Sequence, residues 1–507
     1  MKFVLRLLLK VLLRVRVVGD LTPFAHANRL LIVANHGSRL DALLLALFLP
    51  RNPVVVVPPE EARVPWLRRL LGAVMHLVLD VNNPLTIKRV LRHLRNGRPV
   101  AMFPAGRIST GDGVMKVYPV PALIALKSGA TVLPVHLECA GRCFSGSAAN
   151  AALRLLPRCT LRVLSPARID GGPAASGRRR RMFATRRLDS ILQSMVLQSR
   201  AGKTIFECFL DAIAAHGRGR QLIEDQSEEP KTYGFLLKGS LAISRWVRRH
   251  TRPDENVGLL VPNVVASVCA VMGVSAARRV PAIFNYTSGP LGVRSAAVAA
   301  KVRVVVTSRK FIEQAKLEAL VEALAGCKLL YLEDIRREFG PIDKLWLVLF
   351  ALRFPRLAFI RQSSLDPAVV LFTSGSEDRP KGVVLSHHAV VANVAQLRAV
   401  FDFSVDDRIL NPLPIYHAYS FTAGMLLSLI TGTRMLLYIS PLRYRAIPEI
   451  AYRRDCTILF GTSTFLSYYA RHANPMDFRR LRYVISGGEK LAPEVARIWQ
   501  EKFGLRI

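Results

Sequence analysis

Short apolar runs separated by polar punctuation set the pattern of this chain. Arg29-Leu30-Leu31-Ile32-Val33-Ala34 reads as a buried strand, stopped by the turn Asn35-His36-Gly37-Ser38. An apolar helix is predicted over residues 41–49. Residues 54–57, four valines ended by Pro58-Pro59, form a second strand, residues 100–103 a third, and residues 131–135 a fourth. Strands alternating with helical stretches predict an α/β fold. In such folds the polar residues just past the strand ends carry the chemistry.

Further along, the punctuation changes. Gly171-Gly172-Pro173-Ala174-Ala175-Ser176-Gly177 leads into Arg178-Arg179-Arg180-Arg181, read as a basic loop or helix start. Residues 217–231, with Gly217-Arg218-Gly219-Arg220 and an acidic stretch ending at Pro230, read as a linker. Residues 232–507 alternate strands and helices again. The apolar stretches 257–274 and 421–430 are interrupted or too short to span a bilayer, and are predicted to be buried α/β elements. The expected division is 1–20, 21–216, a linker at 217–231, and 232–507.

Composition narrows the class. The chain has 507 residues, 51% of them apolar and 21% charged, which excludes full-length disorder. Seven scattered cysteines exclude a small disulfide-built module. Lys and Arg number 72 against 36 Asp and Glu, a formal charge of +36 that calls for polyanionic partners. No zinc-finger spacing or aromatic-basic signature points to nucleic acid. The N-terminal Met1-Lys2-Phe3-Val4-Leu5-Arg6-Leu7-Leu8-Leu9-Lys10 instead mixes Leu and Val with regular cations. It is predicted to be an amphipathic helix lying on an anionic membrane surface, or against the protein's own core.

Two constellations carry candidate chemistry. In Asn35-His36-Gly37-Ser38-Arg39-Leu40-Asp41, a turn brings the Asp41 carboxylate to one imidazole nitrogen of His36. The other nitrogen is then free to take a proton from a substrate hydroxyl. An isolated His–Asp pair is more often a helix cap. Here a second block, Phe103-Pro104-Ala105-Gly106-Arg107-Ile108-Ser109, offers a guanidinium and backbone donors for a phosphate. The two blocks in this order resemble the glycerophospholipid acyltransferase family (NHxSxxD and FPEGTRS-like motifs). The resemblance implies His36 as general base, Asp41 as its orienting partner, and Gly106 with Arg107 as the acceptor-phosphate and oxyanion region. Leu133-Pro134-Val135 resembles that family's VIPV block. Ala105 departs from it, since the family has Glu there.

The other constellation is Thr373-Ser374-Gly375-Ser376-Glu377-Asp378-Arg379-Pro380-Lys381-Gly382. Small residues expose backbone N–H groups and hydroxyls to an anion, and Lys381 adds a cation. The spacing is not that of a Walker loop. The run resembles the phosphate loop of the adenylate-forming acyl-CoA synthetase family (TSGSTGxPKG), with Asp378 in place of a Gly. Leu413-Pro414-Ile415-Tyr416-His417 resembles that family's LPxFH motif, and Ser486-Gly487-Gly488-Glu489 its glycine-rich turn. The resemblance implies that Thr373, Ser374, Gly375, Ser376, Lys381, Gly382, His417, Gly487, Gly488 and Glu489 handle ATP, with Mg2+.

The order of the two domains resembles bacterial bifunctional enzymes that pair acylation of 2-acylglycerophosphoethanolamine with acyl-[acyl-carrier-protein] synthetase chemistry. It implies a glycerolipid-acyltransferase-like α/β domain followed by the large domain of an adenylate-forming enzyme. That second domain is expected to be incomplete, because the family's next block, YGxTE, is not reached by Ile507. Expected partners are acyl-carrier protein, a lysophospholipid, fatty acid and the cytoplasmic face of the bacterial inner membrane. Acyl transfer itself needs no cofactor, and no resident metal is expected. The alternatives are an adenylate-forming ligase whose acyltransferase domain has decayed, and a noncatalytic membrane-surface scaffold.

Overall fold

The computed structural model describes residues 2–78, 84–106, 117–139, 159–170, 172, 176–200, 202–373 and 380–507. The chain forms two compact units, one of residues 1–201 with 395–402 and the other of 202–394 with 403–507.

The first unit is built on an eight-stranded sheet. Its order is Arg16–Gly19, Cys159–Val163, Thr131–Cys139, Leu30–Ala34, Val100–Met102, Val54–Val57, His76–Val78, with Ala167–Arg168 paired to Thr131–Cys139. Leu30–Ala34 lies at the centre, parallel to both neighbours. Its side chains alternate between two cores. Leu30, Ile32 and Ala34 pack on one face, and Leu31 and Val33 on the other. This is why the run is apolar throughout rather than alternating. Each of these Leu, Ile and Val side chains is essentially fully buried, contributing roughly 1.5–3 kcal/mol. The helix Asp41–Phe48 that follows is buried along its whole length.

Residues 1–20 are not one segment. Lys2–Leu12 is a helix whose Leu5 and Leu9 join the core, while Phe3, Val4, Leu7, Leu8 and Val11 stay exposed. Arg16–Gly19 is then a strand of the sheet, parallel to Cys159–Val163. The four arginines 178–181 fall in the long helix Gly177–Arg200 rather than in a loop.

The second unit holds two six-stranded sheets. One runs Lys231–Thr232, Gln221–Glu224, Arg434–Leu437, Arg408–Asn411, Ile458–Gly461, Tyr483–Ser486. The other runs Lys328–Tyr331, Val304–Thr307, Asn256–Leu259, Val280–Ile283, Pro367–Thr373, Lys381–Ser386. Residues 217–231, expected as a linker, therefore carry a strand paired in parallel with Arg434–Leu437. The change of unit falls instead at residues 201–202. Residues 257–274 divide into the strand Asn256–Leu259 and the helix Val265–Ala276. Among the described residues no helix is long and apolar enough to cross a membrane.

Candidate functional site

In the first unit, the turn after Leu30–Ala34 is held by reciprocal hydrogen bonds. The Asn35 amide donates to the Leu137 carbonyl at 2.9 Å and accepts from its N–H at 2.7 Å. That anchors the loop to the neighbouring strand and aims His36 over the sheet's end. Asp41 starts the next helix, and its Oδ2 accepts from the Gly37 N–H at 2.7 Å and the Ser38 N–H at 2.8 Å. The same oxygen lies 3.1 Å from His36 Nδ1. The five-residue separation thus folds back as the sequence predicts, with both side chains buried. Phe103 stacks on the imidazole, ring centroids 4.0 Å apart and planes 16° off parallel.

The other imidazole nitrogen is not free. Glu61, from the short helix Pro59–Ala62, puts Oε1 2.6 Å from His36 Nε2. This corrects the expectation of an open Nε2. Burial lowers the pKa of His36. Hydrogen bonds and charge from Asp41 and Glu61 outweigh it and raise the pKa to about 9. At neutral pH the ring is an imidazolium, each N–H donating to a carboxylate. Glu61 Oε2 is buried with no hydrogen-bond partner among the described residues, a costly state that a polar ligand or water would relieve.

Of the second block, Phe103 to Gly106 can be placed and Arg107 lies outside the described residues. Gly106 has φ +66°, and a Cβ there would come within 3.2 Å of the Tyr118 ring. Both features favour glycine at this position.

In the second unit, residues past the carboxyl ends of strands from both sheets converge. Phe372 lies 5.6 Å from Phe284, centroid to centroid, and Tyr286 meets Tyr416 edge-on at 5.2 Å. Tyr416 is in turn 4.6 Å from His417, which stands exposed. Asn263 Nδ2 donates to the carbonyls of Asn411, Leu413 and Tyr438 at 3.3, 3.2 and 2.9 Å, tying one sheet's loop to the other's strand ends. Thr373 and Lys381 sit opposite each other in an antiparallel pair, Gly382 beside Phe372. Ser374, Gly375 and Ser376, with Asp378 and Arg379, lie outside the described residues.

The glycine-rich turn is packed against Tyr419. That phenol donates to the Ile485 carbonyl at 2.7 Å, and a Cβ on Gly487 would fall 2.9 Å from its ring. Gly488 has φ +83°. Glu489 accepts from the Thr464 N–H at 2.6 Å, and its other oxygen accepts from the Thr464 hydroxyl at 3.1 Å. Those bonds hold the Glu489 carboxyl below its ordinary pKa. Glu489 thereby ties the turn to the start of the helix Ser463–His472. Ser486 Oγ is buried without a partner among the described residues, which suits a polar ligand at the end of the strand.

Glu61 and Tyr419 belong to none of the sequence motifs. The one available signal for Glu61 was an acidic pair, Glu60-Glu61, directly after a buried strand in a chain with twice as many basic as acidic residues.

In open α/β sheets of this kind, ligands bind in the crevice beyond the carboxyl ends of the parallel strands. The chain belongs to the AMP-binding enzyme family, which matches residues 209–507. The acyltransferase family matches residues 14–138. The protein thus combines an acyltransferase-like region with an AMP-binding region. Medium-chain acyl-CoA ligase ACSF2, mitochondrial, of Danio rerio is 30% identical over 138 residues, 26% of this chain and 22% of that protein. Medium-chain fatty-acid–CoA ligase of Escherichia coli (strain K12) is 31% identical over 144 residues, 28% of this chain and 25% of that protein. The chain's match spans about a quarter of the length of these curated relatives. The N-terminal domain of FACL13 from Mycobacterium tuberculosis shares the fold at TM-score 0.51 and 19% identity, over 59% of this chain and 73% of that one. The two curated relatives named here are coenzyme A ligases, which overturns the acyl-carrier-protein partner expected above.

Proposed function

We propose that residues 202–507 belong to an ATP-dependent acyl–coenzyme A ligase that activates a fatty acid as its acyl adenylate. The observation that carries this reading is the convergence of the paired Thr373 and Lys381, the Tyr416-His417 pair and the loop anchored by Asn263 at the strand ends of two sheets. The family match over 209–507 and the names of the relatives support it. ATP, with Mg2+, supplies the adenylyl group. Lys381 and the hydroxyls and N–H groups of residues 373–376 hold its phosphates. Gly487 and Gly488 let the nucleotide approach the backbone, with Ser486 Oγ as a polar contact. His417 and Tyr416 border the reacting carboxylate. Incubating the protein with ATP, Mg2+, coenzyme A and fatty acids of graded length tests this. Acyl–coenzyme A should form, and its absence with every acid would refute the reading.

A second reading is favoured by the His36–Asp41 geometry. Residues 1–201 transfer an acyl group to the free hydroxyl of a lysophospholipid such as 2-acylglycerophosphoethanolamine. His36, neutral once Glu61 has withdrawn, takes the hydroxyl proton. The oxygen then attacks a thioester carbonyl, the C–S bond breaks and the thiolate leaves. Gly106 and Arg107 meet the acceptor's phosphate. Where Ala105 and the Glu61 contact abolish this transfer, the chain acts as a ligase alone. In this reading the protein works at the cytoplasmic face of a bacterial membrane, and the exposed Phe3, Leu7 and Leu8 of helix Lys2–Leu12, lying among cations, support that placement.

A further inference from the structure

Residues 341–358, in the second unit, present apolar side chains that the described residues leave uncovered. Ile342, Leu345, Val348, Leu349, Phe354 and Leu357 are 77, 60, 59, 57, 50 and 66% exposed. The segment is nevertheless firmly seated. Asp343, Leu347 and Ala351, four residues apart, point inward and are buried. The Asp343 carboxylate accepts from Arg245 and Arg249, and Arg245 also lies over the Trp346 ring at 4.5 Å. The exposed face is therefore the outer side of an anchored helical segment. Six large apolar side chains exposed within 16 residues of one anchored segment mark a candidate interaction surface.

Charge says what kind. The one acidic residue of the segment, Asp343, is turned inward and neutralised. Lys344 and Arg353 are exposed on it, and among the described residues neither has an ion-pair partner. Apolar side chains flanked by outward cations, in a chain of net charge +36, match the boundary of an anionic bilayer. A second copy of the chain fits worse, since a two-fold contact sets Lys344 and Arg353 against like charges.

We propose that this face docks on an anionic lipid surface. Leu345, Val348, Leu349 and Leu357 enter the headgroup boundary while Lys344 and Arg353 meet lipid phosphates. The face belongs to a different unit from helix Lys2–Leu12, the one proposed to activate fatty acids, so it would give that unit its own lipid contact. The proposal rests on exposure and charge and does not depend on either enzymatic reading.

Sedimentation of the full chain with phosphatidylcholine vesicles, with and without one quarter phosphatidylglycerol, tests it. Two variants are compared with wild type, Val348→Glu/Leu357→Glu and Lys344→Glu/Arg353→Glu, each checked for an unchanged circular-dichroism spectrum and melting profile. All these positions are exposed, so the fold is expected to tolerate both. The first variant should bind both vesicle types at least about tenfold more weakly, from the lost apolar burial. The second should lose at least about tenfold on the anionic vesicles alone, at about fivefold per cation. Wild-type binding by the first variant would overturn the proposal. So would a wild-type dimer that the first variant converts to monomer without any change in vesicle binding, which would assign the face to a second copy. Equal loss on neutral and anionic vesicles in the second variant would overturn the role of the cations.

Discussion

Glu61 Oε1 lies 2.6 Å from His36 Nε2, on the side of the imidazole opposite Asp41. The nitrogen that a general base needs open is bonded to a carboxylate, and the ring is held protonated near neutral pH. Acyl transfer at this site requires Glu61 to leave or to be neutralised.

Glu61→Gln removes one of the two charges that raise the His36 pKa to about 9. The pKa should fall by about 1–3 units, the usual effect of a neighbouring opposite charge. Titration of the His36 ring by NMR reads this directly, with or without activity. An unchanged titration would show that the contact does not form. If the first unit transfers acyl groups, the same variant should move the rising limb of its pH–rate profile downward.

The two units should respond to pH with opposite signs. His36 is raised in the fold, so its stabilisation is complete below about pH 6.5, its unfolded pKa, and is lost as pH rises through about 9. His387 is lowered to about 4 by burial, although Asp366 opposes this. Its Nδ1 accepts the Ile205 N–H at 3.3 Å. Its contribution is present above about pH 6.5 and is lost as pH falls through about 4. Urea unfolding followed separately for each unit should show the first weakening toward alkaline pH and the second toward acid.

Asp41→Ala strips the partner from two backbone N–H groups and a buried imidazole. Breaking a buried charged pair costs about 3–5 kcal/mol, enough to separate the unfolding of the first unit from that of the second. Asp41→Asn, which keeps one acceptor oxygen, should cost less. Equal midpoints for Asp41→Ala and wild type in urea would contradict the network.

Gly487→Ala would place a Cβ 2.9 Å from the Tyr419 ring. Relief requires the turn to shift, at a cost of about 1–3 kcal/mol. Acyl–coenzyme A formation should drop about tenfold or more, and the added change Tyr419→Leu should restore part of it. A Gly487→Ala enzyme of full activity would remove the turn from the proposed site.

The central strands, the helix beginning at Asp41 and the folding back of Asp41 onto His36 were legible because each depends on near neighbours. Apolar runs of four to six residues report burial on both faces, and a five-residue turn reports its own closure. Glu61 was not legible, since it reaches His36 from 25 positions away and belongs to neither motif. The strand at Gln221–Glu224 was hidden by the charges around it, because its apolar content is only Leu222 and Ile223. The exposed face of residues 341–358 was invisible for the opposite reason. Its composition is that of a core helix, and only the folded chain shows which side has no cover. Residues 395–402, which the contacts assign to the first unit, carry no mark of that in their sequence.

Adenylate formation is most directly tested by exchange of labelled pyrophosphate into ATP, measured on the whole protein with and without a medium-chain fatty acid and repeated with Lys381→Ala. The account predicts exchange that depends on the fatty acid and falls at least about tenfold in the variant, as expected for a lost charge-assisted phosphate contact. Exchange that is absent with every fatty acid, or that proceeds unchanged without Lys381, would contradict it.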